Sequence, residues 1–442
     1  MTNQRFSGKI TRREMIKYGG GMLGALMGGA ALSKVLLNPT QIVNAESLPA
    51  RMGAAAQVDL PPNMSLVGTD GWIYLPDANP IGSFFPDPWA PAPFNTYMFG
   101  FRNVTGLGQT QINNQKMKSQ AGAPLLTLRE NQTFVVELGN LGLQMRPDLV
   151  DSHTLHFHGF RNAIPMFDGE PSSSVAVPIG RNLKYVYVPK DAGTYMWHCH
   201  FEDVEHVHMG MTGPAIIRPA QDGNTSLYPS GKYLYNDGDG STGFDREFMM
   251  FMSEVWIFAH WADAHIQLPD WSDYKPDFYL LNGRSYPDTL APNGGGTDTG
   301  TGDLIAPAGR PELQSQPVSS LIKANAGDRV ALRFSNLGYE TQSMTSAGPR
   351  LKVVGKDATL MRGRDGSDNS YLTSTITIGP GESVDAIFVA PPHQGGNPDR
   401  YMIYNRNYNR MNNSGGSGFG GQATEIHVYP AGTLSPQSEP NT

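Results

Sequence analysis

An internal repeat is the feature that most constrains the fold of this 442-residue chain. Residues 125–142 align without a gap on residues 321–338. Each copy contains a predicted strand, a polar turn, an alternating strand and an Asn-Leu-Gly stop, which is a period-two β pattern rather than a helical one. A second match, between residues 195–200 and 401–406, follows later in each half. The repeat therefore predicts two copies of one β unit.

Composition agrees with this architecture. The chain has 51 glycines and 34 prolines, its predicted strands are short, and no long amphipathic helix is evident after residue 45. We therefore predict an all-β protein of two antiparallel Greek-key β-sandwich domains. The first domain is expected at residues 60–220 and the second at 245–432. Residues 221–244, rich in Gly, Asp and Ser, are the predicted linker, and residues 293–309 are a predicted glycine-rich surface loop.

The N-terminus has the pattern of an export signal. The pair Arg12-Arg13 precedes a weakly apolar, glycine-rich segment, and residues 43–45 offer a small-residue cleavage site before Glu46. Residues 1–45 are therefore predicted to be a signal peptide of the twin-arginine type. A permanent anchor is the alternative, but Lys34 interrupts the segment and glycine dilutes it, which makes a poor spanning helix. The predicted location is periplasmic or extracellular.

Net charge limits the classes of partner. The six basic residues and one acidic residue of the leader carry a net +5, so the chain's −7 becomes about −12 without them. An acidic surface of this kind argues against nucleic acid or anionic lipid as a partner. It tolerates a cationic substrate, although solubility alone accounts for such a charge.

The chain's single cysteine lies in a cluster of histidines. Cys199 stands between His198 and His200, and seven of the eleven histidines fall within residues 153–208. A small buried thiol beside structural histidines is the ordinary role of a lone cysteine. That interpretation leaves the clustering unexplained, so we predict a metal site.

The residue types around the thiol indicate which metal. One thiolate, two imidazoles and a weak thioether form the ligand set of a blue, electron-transferring copper. The chain offers these as Cys199, His153, His206 and Met211, with His208 as an alternative to His206. The cofactor predicted from this set is copper.

Strand alternation lets the same segment serve a second metal site. Successive side chains of a strand point to opposite faces. His156 and His158 therefore share one face, His198 and His200 share another, and Cys199 points away from its two neighbours.

These motifs resemble the multicopper oxidases with cupredoxin domains. The family signature His-x-x-His-x-His-Gly stands at residues 153–159 and is followed by His-Cys-His at 198–200, a further histidine and a methionine. The resemblance covers most of the chain after residue 45. Two-domain laccases and copper nitrite reductases share this architecture, commonly as trimers.

The resemblance implies a role for each ligand. The implied type 1 copper ligands are His153, Cys199, His206 and Met211. The implied type 2 and type 3 copper ligands are His156, His158, His198 and His200. The resemblance favours His206 over His208 because the five-residue step to Met211 matches both families, whereas His208 leaves three.

The second half departs from the family pattern. A full cluster of three coppers draws four histidines from each of two domains, but the aligned positions here carry no histidine: Gln342, Thr345, Ala347, Tyr404, Asn405 and Arg406. The remaining histidines, which we interpret as structural or surface residues, are His260, His265, His393 and His427.

Three hypotheses follow. The first is a laccase-like oxidase that passes electrons from a phenolic, metal-ion or redox-protein donor to dioxygen. Its cluster would be rebuilt between copies in a dimer or trimer, or a partner domain would supply the missing ligands. The second is a blue-copper electron-transfer or copper-binding protein without turnover. The third, a nitrite-reductase-like enzyme, is disfavoured because that family has Asp at the place of His156 and lacks the second histidine of His-Cys-His.

Overall fold

The computed structural model describes residues 60–76, 81–122, 124–161, 163–414, 416 and 418–442. The predicted signal peptide lies outside the described residues. Strands dominate the described part, together with three short α-helices: α1 (Gln109–Asn113), α2 (Asp203–Met209) and α3 (Ile257–Ala264). None of the helices in this part combines the length and apolarity that crossing a membrane requires.

The first half builds two four-stranded sheets. Its strands are β1 (Met64–Ile73), β2 (Thr96–Asn103), β3 (Leu126–Arg129), β4 (Phe134–Asn140), β5 (His156–Phe157), β6 (Asn182–Tyr187), β7 (Gly193–His198) and β8 (Thr212–Arg218). The sheet orders are β2-β1-β4-β6 and β3-β8-β7-β5. In β3 the buried Leu126 and Leu128 alternate with exposed neighbours, which is the period-two pattern of a strand with one face on the core.

The second half builds two further sheets. Its strands are β9 (Arg246–Val255), β10 (Phe278–Leu281), β11 (Ile322–Asn325), β12 (Arg329–Asn336), β13 (Gln342–Ser346), β14 (Leu351–Lys356), β15 (Thr359–Leu360), β16 (Tyr371–Thr373), β17 (Thr375–Ile378), β18 (Ser383–Val389), β19 (Asp399–Asn405) and β20 (Ala423–Tyr429). One sheet has the order β10-β9-β12-β18-β14-β15, with β16 paired to β14, and the other has the order β11-β20-β19-β13-β17.

Each half has its own hydrophobic core. The first core includes Phe99, Tyr185 and Trp197, and the second includes Phe334 and Ile403, all with less than 2% of their surface exposed. The predicted all-β fold is confirmed. Because the sheets divide at the connecting segment, we propose that residues 60–220 and 245–432 are the two domains.

Eight strands of the second half, in the orders β10-β9-β12-β18 and β11-β20-β19-β13, repeat the two sheet orders of the first half. β3 and β11 run parallel to β8 and β20, while β4 and β12 run parallel to β1 and β9. β4 and β12 both end at an asparagine, Asn140 or Asn336, whose side-chain oxygen accepts from the backbone N–H of Gly142 or Gly338 at 2.8 and 2.9 Å. The Asn-Leu-Gly motif therefore ends both strands by the same side-chain hydrogen bond.

The predicted linker, residues 221–244, is folded against the second half. Its Leu234 and Tyr235 are buried in a small apolar cluster. The Tyr235 hydroxyl donates to Asp385 at 2.5 Å, and the same carboxylate accepts from Thr194 of β7 at 2.5 Å. One buried carboxylate therefore ties the connecting segment to both halves.

The glycine-rich loop, residues 293–309, is mostly exposed but anchored to the first half. The guanidinium of Arg102 donates to the Gly302 carbonyl at 2.8 Å, and the side chain of Gln111 donates to the Thr299 carbonyl at 2.8 Å. The loop is therefore a contact between the halves as well as a surface feature.

Candidate metal centre

Strands β5 and β7 bring distant histidines together. Their antiparallel register pairs His156 directly with His198, and such cross-strand neighbours have Cβ atoms about 5 Å apart. Cys199 follows the end of β7 and points to the opposite side from His198. The strand end therefore lies between two groups of side chains.

The first group joins Cys199 to His153 and His206. The Cys199 Sγ is 3.3 Å from Nδ1 of His206 and 3.9 Å from Nδ1 of His153. All three residues have no exposed surface, and their ligand atoms lie within 4.8 Å of one another. Two imidazole nitrogens and one sulfur thus converge inside the first core, and this is the donor set of a soft metal site.

Close packing holds both imidazoles of the first group. The outer Nε2 of His206 is 3.3 Å from Oδ2 of Asp151. The Nε2 of His153 is buried without a hydrogen-bond partner among the described residues, and the ring lies against Gly68. A Cβ at that glycine would overlap the His153 ring and approach Nε2 to 2.9 Å. The His153 ring can therefore occupy this position only if residue 68 is a glycine.

Helix α2 carries both candidates for the second imidazole beside Cys199, and it points them in different directions. His206 faces Cys199, whereas His208 points to the second half and its Nε2 accepts from the backbone N–H of Trp256 at 3.1 Å. The His208 ring packs against the rings of His260, Trp271, Tyr274 and Tyr339. The structure thus brings His206, and not His208, to the thiol.

Met211 is bonded to this group through its backbone. Its N–H donates to the His206 carbonyl at 2.8 Å, and its carbonyl accepts from the Cys199 N–H at 3.0 Å. The side chain of Met211 is fully buried in the same core as Cys199, as is that of Met209.

The second group consists of His156, His158 and His198. The ligand atoms of these residues lie within 4.8 Å of one another, and the Nε2 atoms of His158 and His198 are 2.9 Å apart. Each Nδ1 faces a backbone carbonyl: Asp168 at 2.6 Å, Gly381 at 3.3 Å and Cys199 at 2.7 Å, respectively. Because carbonyls only accept, each Nδ1 carries the proton and each Nε2 offers its lone pair to the centre of the group.

His200 lies beside the second group. Its ring centroid is 4.9 Å from that of His156 and 5.4 Å from that of His198. Its Nδ1 is 3.9 Å from Oδ2 of Asp203, the first residue of α2. The structure therefore places His200 adjacent to the other three histidines, with a carboxylate on its outer side.

The pKa values of the first group favour the binding of a cation. Burial acts to raise the pKa of the Cys199 thiol, but the His206 and His153 rings lower it well below its usual range. For His206, burial acts to lower the pKa, and the Cys199 sulfur and the Asp151 carboxylate together raise it to about 10. The metal-free group therefore holds a thiolate and an imidazolium, and a metal ion can replace the proton.

Burial has the opposite result in the second group. It lowers the pKa of His198 to about 3, with smaller contributions from the neighbouring imidazoles, and it also lowers the pKa of His158. Both rings are neutral at physiological pH and keep their lone pairs free for a metal.

The second half has an amide network where the first has its thiol group. Nδ2 of Asn405 donates to the side-chain oxygens of Gln342 and Gln422, both at 2.7 Å. The side chain of Gln342 in turn donates to the buried carboxylate of Glu254 at 2.5 Å. Donors and acceptors are matched within this network, so it leaves no converging lone pairs.

The positions of the second half that correspond to His156 and His198 are also occupied by other residues. Thr345 pairs with Tyr404 in the register that pairs His156 with His198. Within the described part of the chain, neither metal group contains a histidine of the second half. Of the histidines there, His260 packs on His208, His265 stacks between Trp89 and Trp261, His427 bonds Glu425, and His393 lies on a turn.

Three residues of this centre were not anticipated from the sequence. Asp151 lies two positions before His153, and an acidic residue so close to a ligand motif is a usable signal. Gly68 and Gly381 carry no such signal, because their roles depend on packing between segments distant in the sequence. A Cβ at Gly381 would lie 2.8 Å from Nδ1 of His158.

The fold and the two groups define a class, the copper proteins of cupredoxin fold. In structural comparison the chain is similar to multicopper oxidase mgLAC, with a TM-score of 0.56 and 20% identity over 84% of this chain and 86% of that one. It is also similar to a blue copper oxidase from Nitrosomonas europaea, with a TM-score of 0.54 and 20% identity over 82% and 85%.

Sequence comparison finds similarity to one family in the segment that holds both groups. Residues 102–222, which contain both metal groups, match the family model described as multicopper oxidase. This segment is therefore similar to the multicopper oxidases. Laccase-25 of Oryza sativa subsp. japonica is 26% identical over 309 residues, which is 67% of this chain and 43% of that protein. The chain therefore spans less than half the length of this relative.

Copper is the cofactor that this family implies, and the donors fit it. Two Nδ1 atoms and a thiolate sulfur converge in the first group, and the lone pairs of neutral imidazoles converge in the second. Thiolate selects soft metals and imidazole suits copper, so each donor set matches the metal.

Proposed function

We propose that the protein is a copper-dependent, laccase-like oxidase. It would take electrons from a donor at a type 1 copper and pass them to dioxygen at a second copper site. The observation that carries this proposal is the position of Cys199, whose sulfur lies in the first group while its carbonyl bonds the second. One residue thus contacts both proposed sites.

The proposed ligands follow the two groups. His153, Cys199, His206 and Met211 would hold the type 1 copper, and His156, His158, His198 and His200 would hold the type 2 and type 3 copper. Copper bound at these places supplies one-electron redox chemistry. The chain supplies the connection: His198 is the residue before Cys199, and its Nδ1–H also donates to the Cys199 carbonyl at 2.7 Å.

The second site is proposed to be completed between copies of the chain. Four imidazoles can hold one or two coppers, whereas the family's reduction of oxygen to water uses three. His156, His158 and His200 are only half-buried, so this face of the group is accessible. Two such faces meeting around a symmetry axis in a dimer or trimer would bring further imidazoles together.

The electron donor and the location are also proposals. An acidic surface and a buried type 1 site fit a phenol, a metal ion or a redox protein. The Arg12-Arg13 pair and the cleavage site before Glu46 support export by the twin-arginine route to the periplasm or beyond. Sequencing the N-terminus of exported protein tests this, because a mature chain that keeps residues 1–45 contradicts cleavage.

Metal content, spectra and oxygen consumption of one fully copper-loaded sample test the oxidase. We expect an intense thiolate-to-copper band, a type 2 signal in the paramagnetic resonance spectrum, and oxygen uptake with a phenolic or metal-ion donor. If copies complete the site, the specific activity falls as the protein is diluted toward monomers. One copper per chain with no oxygen uptake from any donor contradicts the oxidase.

That contrary outcome corresponds to the second candidate, a blue-copper electron carrier. The observation that favours it is the amide network of Gln342, Asn405 and Gln422, because it leaves the second half without donors for copper. A carrier needs only the first group.

A further inference from the structure

Asp151 is the carboxylate next to the thiol group. Its Oδ2 is 3.3 Å from Nε2 of His206, on the side of the ring opposite to the Nδ1 that faces Cys199. Asp151 has 9% of its side chain exposed, and His206 has none. A carboxylate only accepts, so Nε2 carries the proton and Nδ1 is the nitrogen left for a metal.

The carboxylate of Asp151 forms an ion pair with His206. Within the described residues, the ion pair with His206 is the only one that Asp151 forms. The guanidinium of Arg146 is engaged by other carboxylates, those of Asp148, Glu205 and Asp263. The negative charge of Asp151 therefore acts mainly on the His206 ring.

Asn140 fixes the position of Asp151. Nδ2 of Asn140 donates to the Asp151 carbonyl and to the Val177 carbonyl, both at 2.9 Å. Val177 exchanges both backbone hydrogen bonds with His153. One asparagine at the end of β4 thus fixes two backbone segments: one carries Asp151 behind His206, and the other contains Val177, which pairs with His153.

The second half has the same arrangement without the metal ligands. Nδ2 of Asn336 donates to the Glu340 carbonyl at 2.9 Å, and the Glu340 carboxylate pairs with Arg410 at 2.5 Å. Glu340 is the residue aligned with Asp151. In both halves an acidic residue at this place pairs with a side chain of the segment that follows β7 or β19, which is His206 of α2 in the first half and Arg410 in the second.

We propose that Asp151 is a positioning residue that orients His206 toward copper and lowers the reduction potential of the type 1 site. The proposal rests on the proposed function in requiring copper at the first group. A fixed negative charge behind a ligand stabilises the doubly charged Cu(II) more than the singly charged Cu(I). Carboxylates that bond a ligating histidine also raise its basicity.

The test is a spectroelectrochemical titration of the copper-loaded protein. Asp151→Asn is expected to raise the midpoint potential by 59 mV or more, a tenfold change in the oxidised-to-reduced ratio for one electron. Copper affinity should fall about tenfold. Asp151→Glu, which keeps the charge, should lie nearer the native potential. Glu340→Gln is the matched control, because it breaks the equivalent ion pair away from the metal and should leave the potential unchanged.

Each outcome decides the proposal. An unchanged potential and spectrum in Asp151→Asn overturns it, as does an equal shift in Glu340→Gln, because that shift would come from loosening of the fold. Asp151→Ser removes the same charge and replaces Asp151→Asn if that variant fails to fold. A native protein without the thiolate band refutes the type 1 site itself, which separates failure of the proposed function from failure of this inference.

Discussion

The two halves have matching strand pairing at the ends of β7 and β19, but the side chains there differ in the bonding partners that they require. In the first half, nitrogen and sulfur atoms of His153, Cys199 and His206 point at one another. In the second, the amides of Gln342 and Asn405 satisfy each other. Converging acceptors need a cation, whereas matched donors and acceptors do not. The same fold therefore holds converging candidate metal donors in one half and a satisfied amide network in the other, and the side chains make the difference.

The difference extends to the strand behind the ligands. The register that places Gly68 next to Asn140 places Met252 next to Asn336. The glycine leaves space for the His153 ring, while Met252 at the matched position is fully buried in the second core. The matched position therefore carries a packing side chain in the second half.

Replacing the thiol should have the largest effect on this contrast. Cys199→Ser removes the soft ligand, so we expect complete loss of the thiolate-to-copper band. Asn405→Ser, the matched change in the second half, should keep the band and lower the free energy of unfolding by about 1–3 kcal/mol through unsatisfied amides. Absorption and denaturant titration measure both. A blue Cys199→Ser protein would contradict the assignment.

Replacing Gly68 and Met252, the matched residues behind the two strand ends, should have the next largest effect. Gly68→Ala should displace His153 and weaken or abolish type 1 copper binding, with the fold retained. Met252→Ala should keep the colour but destabilise the protein by about 2–5 kcal/mol, because it opens a cavity. Copper titration and thermal unfolding separate these effects. Equal loss of copper in both variants would show that general loosening is responsible.

Acid sensitivity of the metal-free protein gives the smallest contrast. Burial lowers the folded pKa of His198 to about 3 from 6.5, so the unfolded chain binds more protons below pH 6.5 and stability falls as the pH falls toward 3. Between pH 7 and pH 5 the titration of this residue should lower the free energy of unfolding of the protein by about 2 kcal/mol. His198→Gln should remove that share of the pH dependence. Identical profiles for His198→Gln and the native protein would contradict the pKa.

Sequence predicted those features that depend on local periodicity. Alternation along a strand was sufficient to place Cys199 and His198 in different groups, and the repeat was sufficient to predict two matching β units. The carbonyl of Gly381 beside His158 could not be predicted, because it depends on packing between segments more than two hundred residues apart. The spacing to Met211 favoured His206 over His208, but the hydrogen bond of His208 with Trp256 could not be predicted, because it depends on packing between the halves.

The burial of Cys199 has a consequence for the durability of the unloaded protein. A thiolate is the reactive form of cysteine, and thiol exchange or oxidation requires access to the sulfur. Cys199 has no exposed surface, and the chain has no second cysteine with which to pair. In oxidising surroundings the unloaded protein therefore keeps its sulfur ligand intact, because the packing around Cys199 shields the thiolate from peroxide and from foreign disulfides.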